Sequence, residues 1–387
     1  MTDNNSIGRK KLLHITFDYP DSISKSKTKA VRNLIVGAEN VENFVYSFNR
    51  IRGFSGIYPF PSGANEVHVV YAAPDRGIFL KTYLRRLAEW VIQDIKSRGW
   101  TFDAVHAHKL TIDGVIGYYV AEALNIPLLA SARGDTDLKV MDARFDLVPF
   151  FKKIANRCTK IMPVAPYTEK ALAAKFGLPA SKFAVMPAIT GSSDFSPSDV
   201  ISEPRLVTLF HLDSHARKGI VNLIKALQIV SRQYPDVSLD IYGGGSPSSL
   251  FKIRQLMEEN KSQKINLMGP AENSEVSKIL KGYAGFVLPT KRETFGMVFI
   301  EALMAGVPVL HSKGRGIDGL FPDHEIGIGV DPSSVSSIAE GIIYLLQSQA
   351  ELKRRLADAA AQGRFDPVKP ASVHASYNRV LQDVWSR

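Results

Sequence analysis

Short apolar runs rich in β-branched residues alternate with amphipathic helical stretches along nearly the whole chain, and this alternation restricts the fold more than any other feature. A helix that connects two parallel strands must cross over the sheet. The sequence therefore predicts an α/β chain whose mostly parallel sheets carry helices on both faces. In the first half we expect strands at 12–17, 43–48, 66–72, 104–108, 127–131, 160–164 and 183–186, and helices at 27–37, 78–96, 112–124, 147–157 and 166–176.

One aperiodic segment, from Thr190 to Pro204, is dense in Gly, Ser, Asp and Pro, and the alternation restarts after it. A length of 387 residues also predicts about two domains, at roughly 100–200 residues each. We expect a first domain over 1–195 that the last helix, 372–387, rejoins, a linker over 196–204 and a second domain over 205–371. Second-domain strands are predicted at 206–210, 237–241, 265–268, 285–288 and 307–310, and helices at 218–232, 248–259, 274–280, 296–305, 335–347 and 350–362.

The two predicted sheets define the fold class and the place to look for chemistry. Two βα-alternating halves joined by one linker give two Rossmann-like, doubly wound parallel-sheet domains facing a cleft. Ligands of such open sheets bind outside the carboxyl ends of the strands. We therefore expect the functional residues in loops that follow strands and precede helices.

Composition and charge limit the class of protein. Hydrophobic residues make up 45% and charged residues 22%, which excludes a disordered or collagen-like chain. We see no membrane span and no secretory signal in the polar stretch 1–11, and the single cysteine, Cys158, cannot form an internal disulfide, so we expect a cytoplasmic protein. The net charge of +10 favours polyanionic partners, which are nucleic acid, nucleotide phosphates or an anionic membrane face, without choosing among them. Because the basic residues are spread along the chain, we expect no nucleic acid partner.

The most informative segment runs from Tyr283 to Leu310. A buried strand ends in a polar loop that carries Glu293, a helix begins near Gly296, and Glu301 follows about two turns along. The start of a helix offers free backbone N–H groups and a partial positive charge, which together bind phosphate. Carboxylates beside such a site accept hydrogen bonds from sugar and ribose hydroxyls. The arrangement suits a sugar nucleotide.

This segment resembles the E-x7-E signature of the retaining GT-B glycosyltransferases of family 4, and the resemblance extends over most of the chain. In that family the first glutamate lies beside the donor sugar, the second binds the ribose, and the amides between them hold the diphosphate. The resemblance therefore implies donor binding by Glu293, Thr294, Phe295, Gly296, Met297, Val298 and Glu301, with Glu293 also in a catalytic role.

A second strand–loop–helix unit places Arg217 and Lys218 before a helix. Lys218 can neutralise a phosphate as a point charge, and Arg217 can bind it bidentately. The loop resembles the family's diphosphate-binding loop, which implies donor-binding and catalytic roles for Lys218. The family usually has an arginine six residues before that lysine, where this chain has Leu212; Arg217, His211 or His215 are the candidate substitutes.

Three further positions follow predicted strands. Gly243 and Gly245 resemble the family's glycine-rich donor loop, although a glycine triplet alone is common at βα junctions. Gly269 resembles the loop that lines the nucleobase. In the first domain His108 ends a strand, and the resemblance implies that it lies close to the donor sugar and the reacting centre.

The first domain departs from the family in two loops, and we expect these on the acceptor side. The first βα loop has hydroxyls and lysines, including Lys25 and Lys27, in place of a glycine pair. Arg133 stands where relatives often have histidine, and either contacts an acceptor phosphate or forms a salt bridge. The tripeptide Asp135-Thr136-Asp137 spells a metal-binding motif of another glycosyltransferase architecture, and we interpret it as coincidental. With no clustered Cys or His ligands, we expect a metal-independent enzyme without cofactors.

The leading hypothesis is a retaining hexosyltransferase that uses a nucleoside-diphosphate sugar and a glycan or lipid-linked acceptor, in cell-surface polysaccharide or lipopolysaccharide synthesis. A sugar-nucleotide 2-epimerase of the same architecture and a catalytically inactive sugar-nucleotide or polyanion binding module stay open. The basic stretch 77–98 either lies on an anionic membrane or packs on the sheet with its basic face in water.

Overall fold

The computed structural model describes residues 8–25, 27–191, 194–321 and 326–386, without the side chain of Pro61. Residues 1–7 of the polar amino terminus and 192–193 of the aperiodic segment lie outside the described residues. The chain forms two compact units. The N unit comprises the residues up to Val164, Thr168–Ile189 and those from Ala371, and the C unit comprises Ala165–Tyr167 and Thr190–Pro370.

A seven-stranded sheet forms the centre of the N unit, in the order β3-β4-β2-β1-β5-β6-β7. Neighbouring strands are parallel except for the antiparallel pair of β3 and β4. The register of β1 and β5 pairs His14 with His106. The strands are β1 (Lys10–Thr16), β2 (Val41–Arg52), β3 (Ile57–Pro61), β4 (Glu66–Ala73), β5 (Ala104–Ala107), β6 (Leu128–Ala132) and β7 (Lys160–Pro163).

Helices cover this sheet because each has an apolar stripe that packs against the apolar side chains of a sheet face. In α2, for example, Leu84, Leu87, Val91 and Ile95 recur at helical spacing and are fully buried. Cys158 is also buried in this core. The helices are α1 (Ala30–Ile35), α2 (Leu80–Ser97), α3 (Ile112–Leu124), α4 (Asp135–Ala143), α5 (Val148–Arg157) and α6 (Pro166–Phe176).

The C unit repeats the architecture with six parallel strands in the order β10-β9-β8-β11-β12-β13. The strands are β8 (Arg205–Leu209), β9 (Ser238–Tyr242), β10 (Lys264–Gly269), β11 (Gly285–Val287), β12 (Val309–Ser312) and β13 (Gly327–Val330). The helices are α7 (Ile220–Val230), α8 (Pro247–Glu259), α9 (Val276–Lys281), α10 (Met297–Met304), α11 (Val335–Gln347) and α12 (Gln349–Ala361).

The last helix, α13 (Pro370–Trp385), belongs with the N unit. Val373, Tyr377 and Leu381 are buried against the first sheet, and the Asn378 side chain bonds the backbone at Gly37 and Glu39. The helix therefore completes one face of the amino-terminal core. Across the described residues we find no helix with the length and hydropathy that crossing a membrane requires.

Some predicted elements differ from the observed ones. The expected strand at 183–186 is wrong, because Phe183 makes a single bridge to Ile161 and Pro187 follows at once. Strand β3 was not predicted, since its two prolines lower its strand propensity and only its edge position tolerates them. Helix α4 and strand β13 were also missed. The remaining predicted elements form, with ends that shift by a few residues.

Candidate active site

In the C unit an ion pair joins the two loops that carry the sequence-predicted donor residues. The Lys218 ammonium lies 2.5 Å from the Glu293 carboxylate, and both side chains are about nine-tenths buried. Lys218 stands just before α7 and Glu293 follows β11. A buried pair holds its geometry because breaking it would leave an uncompensated charge. The structure thus places the lysine and glutamate predicted for donor binding in direct contact.

Backbone contacts fix the Glu293 side chain. Its second oxygen accepts a hydrogen bond from the Thr294 N–H at 3.1 Å, and the Tyr167 hydroxyl donates to the Glu293 carbonyl at 2.8 Å. A Cβ at Gly296 or Gly316, both at positive φ, would lie 3.2 Å from the Glu293 Cγ. Glycine at these positions therefore lets the loop close tightly around the carboxylate.

The helix after this loop is α10, which starts at Met297. Gly296 caps it with a φ of 81°, and Phe295 is buried beneath the turn. The amides of the first turn have no acceptor inside the helix, so this end favours an anion. Glu301 lies further along α10 and is half-buried, and burial raises the pKa of its carboxyl group. The E-x7-E residues therefore occupy the loop and helix positions predicted for them.

The glycine-rich loop after β9 packs against the loop after β8. A Cβ at Gly243 would collide with the Phe210 carbonyl, and one at Gly245 would lie 2.8 Å from the Leu212 Cβ. These glycines are therefore explained by close packing within the C unit. Gly269 has a φ of 83° and open space beside its Cα, as a loop lining a ligand would have.

Leu212, at the place of the family's arginine, is fully buried beneath that glycine-rich loop. Arg217 has an exposed side chain, so it is not part of the Lys218–Glu293 contact. His215 contacts the Leu212 carbonyl at 2.9 Å, and His211 lies 3.8 Å from Asp213. Of the four basic side chains in this loop, Lys218 alone is held against Glu293.

In the N unit the carboxyl end of the sheet carries a cluster of three buried histidines. His14 on β1 and His106 on β5 are paired by strand register, and His108 follows β5. The ring centroids of His106 and His108 lie 3.9 Å apart, and His14 and His108 share a 3.1 Å hydrogen bond. All three side chains are fully buried, so His108 is enclosed in this cluster. Sequence reasoning found His108 but missed its partners.

Hydrogen bonding assigns the protons in this cluster. The Asn43 amide nitrogen donates to the Ile35 carbonyl, so its oxygen accepts from His14 Nε2 at 2.8 Å. Burial lowers the pKa of His14 to about 4 and holds those of His106 and His108 well below the ordinary value. Neutral His14 therefore accepts at Nδ1 from His108 Nε2, which leaves His108 Nδ1 with a lone pair and no partner among the residues that the structure describes.

The histidines correct the premise that no ligand cluster exists, since their ring nitrogens lie within 4.8 Å of one another. Neutral imidazoles are good ligands for zinc and related metals. Nevertheless, His106 bonds the Tyr377 and Ser131 hydroxyls through its two nitrogens, and His14 bonds Asn43 and His108. Only the lone pair of His108 is unused within the cluster. The arrangement is a hydrogen-bonded network, and metal independence stays a prediction.

A second polar group surrounds Lys109, directly after His108. Its ammonium pairs with Asp18 at 2.7 Å, and the Asp18 carboxylate helps to raise the Lys109 pKa although burial opposes this. Asp113 is fully buried, and burial raises its pKa to about 8. At neutral pH Asp113 is therefore mostly protonated. The sequence analysis did not predict a role for Lys109 or Asp113. Their i, i+4 spacing where a strand leads into a helix was the pattern that could have indicated their proximity.

Arg133 and the Asp-Thr-Asp tripeptide lie beside this group. The Arg133 Nε donates to the His108 carbonyl at 3.3 Å, and burial lowers its pKa. Asp137 accepts hydrogen bonds from the Thr111 N–H and hydroxyl and from the Arg133 N–H. The second aspartate of the tripeptide thus joins two loops, a structural role.

The first βα loop differs from its prediction. Lys27 pairs with buried Asp21 at 3.1 Å and donates to the Phe48 carbonyl, so binding an anion would require it to leave these partners. Lys25 is exposed. The helix begins at Ala30 and has six residues, instead of the predicted start at 27.

Comparison with known proteins supports the glycosyltransferase interpretation. Residues 194–363 match the family model described as glycosyl transferases group 1. Glycogen synthase of Mycobacterium tuberculosis is 29% identical over 145 residues, which are 38% of this chain and 34% of that protein. The chain thus aligns with about a third of that relative. D-inositol 3-phosphate glycosyltransferase of Paenarthrobacter aurescens is 23% identical over 76% of this chain and 78% of its own.

A solved structure matches nearly the whole chain. HepE of Anabaena, in complex with UDP, superposes with a TM-score of 0.70 at 14% identity, over 96% of this chain and 99% of that one. Its similarity shows a common fold. The chain also has two α/β units with largely parallel sheets. Together with the match of residues 194–363 and these relatives, this architecture identifies the chain as a GT-B protein that is similar to the glycosyl transferases group 1 family.

Proposed function

We propose that the chain is a retaining glycosyltransferase of family 4, which moves a hexose-type sugar from a nucleoside diphosphate to a hydroxyl of a glycan or lipid-linked acceptor. The Lys218–Glu293 pair carries this proposal, because it holds a cation from the loop before α7 against a carboxylate from the loop before α10. The family match of the C unit supports it. We place the reaction in the cytoplasm, in the synthesis of a surface polysaccharide or lipopolysaccharide.

In the proposed reaction the bond between the sugar C1 and the diphosphate oxygen breaks, and a bond from C1 to the acceptor oxygen forms on the same face. The acceptor proton passes to the leaving diphosphate, so no covalent intermediate with the protein forms. The protein then acts by positioning and by stabilising the developing negative charge. Lys218 and the first amides of α10 supply that stabilisation, and Glu301 binds the ribose.

The surroundings of Glu293 support the proposed sugar-binding role. One oxygen is held by Lys218 and the other by the Thr294 amide, and the remaining lone pairs can accept from sugar hydroxyls. Gly269, with open space beside its Cα, lets the donor approach the backbone, and Gly243 and Gly245 let the glycine-rich loop that we assign to the donor pack against the loop after β8. In the N unit we assign the unpaired His108 Nδ1 as an acceptor for a substrate hydroxyl after a shift of its buried ring, and Lys25, Lys27 and Arg133 to the acceptor side.

The first experiment measures thermal stabilisation by a panel of nucleoside diphosphates and their sugars, since a ligand that binds the native state raises its stability by mass action. The UDP in the HepE complex makes uridine nucleotides the first to test. We expect a shift for one base. Anomeric coupling in the NMR spectrum of the transfer product then tests retention. A product still attached to the nucleotide with inverted C2 would indicate an epimerase instead, and binding without transfer or hydrolysis a binding module.

Substitutions test the assignment of the pair. Glu293→Gln and Lys218→Ala should each lower the transfer rate by about 100-fold or more, the usual effect of removing one electrostatic stabiliser. Lys261→Ala removes the lysine of an exposed ion pair with Glu258 in the same unit and should leave the rate unchanged. Near-normal turnover in either active-site variant would contradict the assignment.

A further inference from the structure

An exposed surface of the N unit joins three segments that are distant in sequence. Arg50 and Arg52 pair with Asp75 at 3.1 and 3.3 Å, and Arg144 donates a hydrogen bond to the Gly77 carbonyl. These contacts fix the segments side by side. We call the surface the basic–aromatic tip and define it as residues 50–54, 75–86 and 144–146.

Large apolar side chains project from this tip. Phe54 and Phe145 are each 79% exposed, Phe79 is 69% exposed and Ile78 is 53% exposed. The Tyr83 hydroxyl donates to the Phe54 carbonyl at 2.8 Å, which ties the backbone of Phe54 to α2. Single exposed hydrophobic residues are ordinary, whereas a cluster of this kind marks an interaction site.

The backbone of the tip is strained where these side chains project. Arg76 and Phe79 have φ angles of 58° and 53°, in the left-handed region that residues other than glycine rarely adopt. Among the described residues the other such non-glycine positions are Asn40 and Asn125, and asparagine tolerates this conformation. Strain of this kind persists where the surrounding structure imposes it, and it concentrates at functional sites.

The charge of the tip is strongly positive. Its three segments contain seven basic residues and two acidic ones, so they carry half of the chain's net charge of +10. Arg85 and Arg86 are exposed on the first turns of α2, and Lys81 lies over the Phe150 ring at 4.1 Å. An apolar cluster surrounded by cations is complementary to a surface that is anionic outside and apolar beneath.

We propose that the basic–aromatic tip docks on an anionic lipid bilayer, with Phe54, Phe79 and Phe145 entering the headgroup region and the arginines binding lipid phosphates. The body of α2 does not take part, because its apolar face is buried in the N-unit core. This corrects the expectation that the whole stretch 77–98 could lie on a membrane. This inference deepens the proposed function and rests on it. Docking would bring the enzyme to the surface where a lipid-linked acceptor is found.

The test uses the full chain and vesicle flotation, without nucleotide. We expect vesicles that contain phosphatidylglycerol to bind the protein at least about tenfold more tightly than pure phosphatidylcholine vesicles, and added salt to weaken binding by screening. Neither measurement requires transferase activity. A failure of docking and a failure of the proposed function can therefore be told apart.

Two sets of variants separate the apolar contribution to vesicle binding from the electrostatic one. Phe54→Ser with Phe79→Ser removes apolar insertion, and Arg52→Gln with Arg76→Gln and Arg86→Gln removes three charges; each set should weaken binding by about tenfold or more. Matched controls lie in the C unit. Phe251→Ser changes an equally exposed phenylalanine, and a last set removes three exposed lysines: Lys252→Gln, Lys261→Gln and Lys278→Gln.

The control variants should bind vesicles as the parent does, and all variants should keep the parent's thermal midpoint and any donor-induced shift. Equal loss in the tip and control variants would overturn the proposal, as would equal binding to neutral vesicles or no binding to either. A change in sedimentation coefficient caused by the tip variants without lipid would instead assign the surface to a second copy of the chain.

Discussion

The carboxyl edges of the two sheets carry polar sites of opposite character. In the N unit three fully buried, neutral histidines bond one another and their neighbours, and His108 Nδ1 is left without a partner among the described residues. In the C unit Lys218 and Glu293 form an ion pair beside the start of a helix. In a neutral network the hydrogen bonds determine which nitrogen atoms donate and which accept. In an ion pair beside a helix terminus the arrangement determines where positive and negative charge lie. Similar folds thus carry an uncharged hydrogen-bonded network in one unit and a charged pair in the other.

The largest expected effect tests whether the C-unit site depends on its tight loops. Gly219 has a φ of 73°, and a Cβ there would collide with the Pro289 carbonyl. Gly219→Ala should lower the free energy of unfolding by about 3 kcal/mol through combined backbone strain and overpacking, and abolish donor-induced stabilisation. Denaturant unfolding measures the first effect.

Gly99→Ala is the matched control, since Gly99 has a φ of 64° and nothing within 4 Å of a Cβ. It should cost only the backbone strain, about 1 kcal/mol, in the N unit. Equal losses in both variants would mean that the close approach at Gly219 is unimportant.

The histidine cluster predicts acid sensitivity. The folded pKa of His14 is about 4, below the ordinary 6.5, so the unfolded chain binds more protons between these values. Stability should be fully present above about pH 6.5 and fall as the pH drops, by up to about 1.4 kcal/mol per pH unit for each buried histidine. Denaturant unfolding between pH 7 and 5 measures the slope. His14→Gln should reduce the slope by about one proton, and exposed His211→Gln should not; an unchanged slope in His14→Gln would contradict a neutral cluster.

A second pH effect concerns Asp113, where the sign is opposite. Its folded pKa of about 8 exceeds the unfolded 3.8, so the folded state binds the extra proton and stability from this group falls as the pH rises between them. The neutral amide introduced by Asp113→Asn resembles the protonated acid. The variant should gain on the parent as pH rises from about 4 to 8, at most about 1.4 kcal/mol per pH unit, and then level off. A constant difference across this range would show that Asp113 is ionised in the fold.

The residues that the sequence predicted best are those whose chemistry and local structure coincide. The loop with Glu293, the glycine before α10 and the following apolar strand are contiguous, so a single segment contains the whole pattern. The predicted helix 112–124 matches α3 because its apolar spacing and its loop boundaries agree.

The histidine cluster required tertiary information. His14 and His106 are brought together only by the register of β1 with β5, and Asn43 and Tyr377 come from two further elements. No short-range pattern links these positions. In the same way, the pairing of Lys27 with Asp21 depends on how the first loop folds back onto β2, which its composition does not specify.

Helix α13 follows the whole C unit in the chain but supplies Val373, Tyr377 and Leu381 to the core of the N unit. During synthesis on the ribosome, the first sheet therefore waits for this helix until every residue of the C unit has been translated. Until then one face of the sheet, including the ring of His106 that Tyr377 contacts, lacks its cover. Chaperone demand in the cell should accordingly peak late in translation, and a fusion partner that hinders α13 would harm the opposite end of the polypeptide.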